Sequence, residues 1–165
     1  MNFHEFISSW GTFFLLVGTA AATLIGLLFI AVSIHINIFH QQTSFHLHRF
    51  AALTFNCFFY VLLISIIFLV PGISSMWLGI PLLLLGGLGS INALRQRIRA
   101  QDEPKISNKY NTPIVGLLAL AVIAILILFQ VYQSIYALVF VVLIFLISAS
   151  LNAWTLLVYT QDHLN

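Results

Sequence analysis

The chain has 165 residues, 61% of them hydrophobic and 6% charged, with a formal net charge of +2. Soluble domains carry about 25% charged residues, so an ordinary soluble fold is excluded. The few basic groups form juxtamembrane clusters with no folded module behind them, which argues against a nucleic-acid partner.

Apolar blocks cover residues 6–34, 50–70, 76–94, 114–131 and 135–159. A spanning helix needs about 20 apolar residues, within a range of about 17–25. The pattern predicts an all-α, polytopic membrane bundle of five transmembrane helices forming one domain. The first residues lack a basic n-region and the apolar block is too long for a cleavable signal peptide.

The first helix carries a small and polar stripe. Ser8, Thr12, Thr19, Thr23, Gly26, Ser33 and Asn37 recur at three-, four- and seven-residue spacings and so share a face. Gly18, Ala22 and Gly26 lie beside it at four-residue spacing, where small side chains let helix backbones approach. The stripe reads either as a pore lining or as a tight packing surface, within a protomer or between protomers.

The first connection holds His35, His40, His46, His48 and Arg49. Imidazoles bind zinc, copper and nickel well. No carboxylate or thiolate accompanies them, so a polar loop is the plainer account and no metal site or other cofactor is expected. Cys57, the single cysteine, lies inside the second block and reads as a small packing residue.

Pro71 and Gly72 stop the second helix; Ser74 and Ser75 start the third. The third helix holds Gly79, Pro81, Gly86, Gly87, Gly89 and Ser90. Such residues can mark a broken helix at a transport site. The inverted partner repeat is missing, which favours close packing. Arg95, Arg97 and Arg99 are expected to prolong this helix past the bilayer until Pro104. They read either as a topology signal or as a contact for anionic headgroups or a partner. Asp102, Glu103, Lys105 and Lys109 make the rest of the connection a solvated linker.

Thr112 and Pro113 mark the start of the fourth helix, as N-cap and first helical residue. Tyr132, Gln133 and Ser134 break the last apolar region, with Ser134 as the cap of the fifth helix. All six Lys and Arg then fall in the first and third connections, on one membrane face. The positive-inside rule makes that face cytoplasmic, with the N-terminus outside and the C-terminus inside. Trp10, Trp77, Tyr132 and Tyr136 fall at the outer interface, and Trp154 and Tyr159 near the inner one.

Four amides, Asn37, Asn56, Asn92 and Asn152, fall near the inner ends of four helices. Ser33 and Ser148 precede Asn37 and Asn152 by one turn, and Ser90 adds to Asn92. An unsatisfied polar group in lipid costs several kcal/mol, so these groups are expected to converge. They form either a hydrated vestibule on the cytoplasmic side or an amide network that fixes packing.

The spans contain no Asp, Glu, Lys or Arg. Ionisable groups in the membrane mark ion coupling, proton relays and voltage sensing, so pumps, proton-driven transporters and voltage sensors are disfavoured. Neither a His-Glu-x-x-His helix nor a nucleophile elbow occurs, and no catalytic residue is expected.

Trp10, Phe13, Gly18, Ala20, Ala21, Ala22, Gly26, Leu27, Phe29, Ile30, Ala31 and Ser33, followed by Leu69 to Gly72 and Ser150 to Trp154, form a pattern. It resembles that of a group of small bacterial membrane proteins of unknown function. The resemblance covers the first, second and last helices. It implies a bacterial inner-membrane protein and brings no activity with it. The charged residues of that group at the start of the second helix are reduced here to His48 and Arg49. Two functions are compatible with these features. One is a homo-oligomeric pore or passive conduit. The other is a non-transporting accessory protein bound to a larger membrane partner or to anionic lipid.

Overall fold

The computed structural model describes residues 3–34, 45–99, 111–131 and 133–162. These form five helices: α1 Phe3–Ile34, α2 Phe45–Phe68, α3 Ser75–Arg99, α4 Asn111–Leu128 and α5 Ser134–Asp162. Stretches of α1, α2, α3 and α5 are long and apolar enough to cross a membrane; the apolar run of α4, Pro113–Leu128, is shorter. The whole of α4 has 18 residues, a rise of about 27 Å, close to the ~30 Å hydrocarbon thickness. The protein is an all-helical, multi-pass integral membrane protein.

The ends of the helices follow from local chemistry. Gly72, at φ 69°, takes the left-handed conformation that turns α2 toward α3. The Leu78 N–H donates to the Ser74 carbonyl at 3.0 Å, which closes the first turn of α3. At the end of α4 the Gln130 N–H donates to the Ile127 carbonyl and the Val131 N–H to the Leu126 carbonyl, both at 2.9 Å. This is a Schellman cap, and Gln130 occupies its left-handed position at φ 62°, where glycine is usual. Ser134 opens α5, but its hydroxyl donates backward to the Val131 carbonyl at 2.6 Å and so ties the turn to the new helix.

In space the helices run α1, α2, α5, α4, α3. α1 lies along α2, α2 along α5, α5 along α4 and α4 along α3; α2 and α3 touch lightly. α2 and α5 are therefore central, and bury 44% and 39% of their apolar stretches. α1 and α3 are the edges, at 17% and 28%. Trp10 of α1 and Tyr136 of α5 meet edge-on with centroids 5.3 Å apart, so the two helices begin at the same membrane face.

The core is apolar and aromatic. Phe14 stacks on Phe68 at 4.0 Å, and Phe58, Phe145, Leu82 and Leu120 are fully enclosed. α3 runs unbroken through Pro81 and its glycines. Gly79, Gly86 and Gly89 sit against neighbours: a Cβ at Gly86 would lie 2.7 Å from the Ala121 backbone nitrogen, and one at Gly79 2.7 Å from the Leu128 side chain. In lipid no hydrophobic drive holds helices together, so the α3–α4 pair depends on this close approach.

Candidate functional site

α1 packs through Ile7, Phe14, Val17, Gly18 and Ala21, all buried. Thr12, Thr19 and Thr23 lie about half a turn round the helix, and Gly26 and Ser33 about a third of a turn, all exposed. The described part of the small and polar stripe thus points away from the rest of the protomer, with Leu16, Leu27 and Ile30 exposed in the same sector, and the Ser8 side chain lies outside the described residues. This reverses the usual arrangement, in which polar side chains of a span face protein or water. The Thr19 hydroxyl donates to the Leu15 carbonyl at 2.7 Å and the Thr23 hydroxyl to the Thr19 carbonyl at 2.9 Å. Both are satisfied by their own helix, so the face tolerates either lipid or another helix.

The three small residues of this helix have different surroundings. Gly18 presses on α2, where a Cβ would lie 2.8 Å from that of Ser65. Ser65 is fully buried, and its hydroxyl is the unpartnered buried group among the described residues. Ala22 is exposed, and a Cβ on Gly26 would meet nothing within 4 Å. Helical drift explains the split: each four-residue step turns about 40° past a full circle, carrying the row from the packed face to the outward one.

The inner amides occupy different environments. Asn152 is 9% exposed, on the face of α5 that also carries Phe145 and Ala149. Asn56 is half-buried and lines a groove of about 320 Å³ between α1 and α2, with Leu28, Val32 and Phe55. Asn92 is exposed on α3, as is Ser33 on α1; Ser148 is half-buried. Ser90 is buried and its hydroxyl donates to the Gly86 carbonyl. Asn37 lies outside the described residues. Among the described amides, Asn152 is thus buried, Asn56 half-buried and Asn92 exposed.

α3 continues as a helix to Arg99. Arg95 is exposed, Arg97 is half-buried, and the Arg99 side chain lies outside the described part. Gln96, exposed beside Arg95, was not singled out from the sequence. Its spacing from Asn92 signalled a shared face, but nothing local says whether that face meets protein or lipid.

No group of three or more His, Cys, Asp or Glu that could hold a metal ion occurs among the described residues. His35 and His40 lie outside them, as do the side chains of His46 and His48. Cys57 is buried. A second groove, of about 420 Å³, is lined by Ile67, Pro71, Trp77 and Pro81 at the α2–α3 turn. No family model, curated protein or solved structure matches this chain.

Proposed function

We propose that this protein is the protomer of a homo-oligomeric bundle that acts as a passive conduit in a bacterial inner membrane. The observation that carries this reading is the outward direction of the α1 stripe. Thr12, Thr19, Thr23, Gly26 and Ser33 face away from their own bundle. The interior behind them is filled by Phe14, Phe58, Phe145 and aliphatic side chains. A polar path is therefore better formed between protomers, with α1 helices around a shared axis. Ser33, at the end of α1 nearer the basic face, would open such a path into a polar vestibule on the cytoplasmic side. Neither this reading nor the next assigns a catalytic role.

A second reading, an accessory protein that seats α1 on a larger membrane partner, draws on the hydroxyl bonds. Thr19 and Thr23 are satisfied by carbonyls of their own helix and require no water. One experiment separates the two. The mass of the purified protein is measured in detergent, and solute flux is measured in liposomes. An oligomer that conducts supports the conduit. A monomer that leaks nothing overturns it and leaves the accessory reading.

A further inference from the structure

The other edge helix, α3, presents a different outward face. Trp77, Ile80, Leu84, Leu88 and Ile91 are exposed along it, and Arg95 closes the row. Trp77 and Arg95 are about five turns apart, a rise of roughly 27 Å. That matches the ~30 Å hydrocarbon thickness, with an aromatic ring at one interface and a guanidinium at the other. This is a lipid-facing row, and unlike the α1 stripe it is apolar between its ends.

One residue does not fit a plain lipid face. Asn92 lies within the apolar stretch Ser75–Ile98 and is exposed. An amide turned toward hydrocarbon costs several kcal/mol unless it finds a partner. Arg95 and Gln96 lie three and four positions further on, so all three share one flank of the helix, and both are exposed. Together they offer a guanidinium fork and two amides at the level where hydrocarbon gives way to headgroups.

We propose that this flank of α3 is a binding site for an anionic phospholipid. Arg95 takes the phosphate, for which its planar fork is suited. Asn92, one turn deeper, donates to the ester carbonyls of the glycerol region, and Gln96 completes the headgroup contact. The acyl chains lie along Leu84, Leu88 and Ile91. The apolar row is what selects a lipid over free phosphate, which would use the cation alone. This site lies on the opposite edge of the helix order from α1 and stands independently of the conduit.

The test counts lipids retained by the full-length protein in native mass spectra after exchange from vesicles of phosphatidylglycerol or phosphatidylcholine. Wild type should retain phosphatidylglycerol preferentially. Arg95→Gln should lower that retention about fivefold, the worth of one basic group near an anionic surface. Arg97→Gln removes the same charge from a half-buried position on another face and should change it less. Asn92→Leu leaves the charge untouched and should still lower retention. Thermal melting in detergent checks that each variant folds, and Asn92→Ala replaces Asn92→Leu if that variant fails. Equal losses for Arg95→Gln and Arg97→Gln, or wild-type retention in Asn92→Leu, would reduce the site to diffuse electrostatics and overturn it. Release of the lipid by inorganic phosphate alone would overturn the choice of ligand. A smaller oligomer in Asn92→Leu would assign the amide to a contact between copies.

Discussion

Gly86 of α3 rests directly on the backbone of Ala121 in α4: a Cβ added to the glycine would lie 2.7 Å from the Ala121 nitrogen and 3.0 Å from its Cα. Backbone atoms cannot rotate aside as a side-chain tip can. Gly86→Ala should therefore destabilise the bundle by about 1–3 kcal/mol, the usual cost of overpacking. Its neighbour Gly87 has nothing within 4 Å of the same added atom. Gly87→Ala should be neutral or stabilising by up to about 1 kcal/mol, since alanine restricts the unfolded chain. Melting temperatures of the two variants in one detergent make the comparison. A drop for Gly87→Ala as large as for Gly86→Ala would contradict it.

Gln130 holds φ 62° to cap α4. A side chain in that conformation costs roughly 1–2 kcal/mol, a cost that glycine lacks. Gln130→Gly should raise stability by about 1 kcal/mol. Gly72→Ala, at φ 69°, should lower it by a similar amount. Thermal unfolding followed by circular dichroism reads both. A lower melting temperature for Gln130→Gly would show that the side chain holds the turn some other way.

Gly18 and Gly26 belong to one small-residue row but should respond oppositely. Gly18→Leu drives a side chain into Ser65 and should unfold or strongly destabilise the protomer. Gly26→Leu meets nothing in the protomer, so its melting temperature should hold. If copies join through α1, the same change should lower the mass measured by light scattering, because leucine holds the backbones apart. Unchanged mass and unchanged flux in Gly26→Leu would remove α1 from any contact between copies.

Asn152 is buried on the core face of α5. Asn152→Leu removes whatever bond the amide makes, and in membrane bundles such bonds are worth about 1 kcal/mol or less. If the amide only fixes packing, stability should fall by about that amount. If it lines a wet vestibule, flux should change more than stability. Melting curves and liposome flux on the same preparation distinguish the two.

Topology can be read with single cysteines, because the native Cys57 is buried and should label slowly. Gln133 is exposed in the α4–α5 turn, and Gln133→Cys should label from the periplasmic side. Glu103→Cys, in the basic connection, should label from the cytoplasmic side. Reversal of both would overturn the orientation drawn from the basic residues. Labelling of both from one side would overturn the number of spans.

Much of the fold was legible in the sequence because hydropathy and chain breaks are local. Pro71, Gly72 and Ser74 announce the α2–α3 turn, and the structure puts it there. The α4–α5 turn was legible from Tyr132, Gln133 and Ser134, yet its capping residue is Gln130. Glutamine carries no preference for a left-handed conformation, so the residue type gave no signal there. The polar stripe of α1 was legible as a face, but its direction was not.

Class and helix spacing depend on runs of apolar residues that cannot leave lipid and on Pro and Gly that end them, so the amino-acid order alone carries both. Facing is different. Lipid is as apolar as leucine, so hydrophobicity does not say which side of a spanning helix turns inward. That choice rests on shape, such as Gly86 against Ala121 or Phe14 against Phe68, and shape is complete only when two distant segments meet. For this reason the split of Gly18 from Gly26, the burial of Asn152 and the exposure of Asn92 emerge only once the helices are packed.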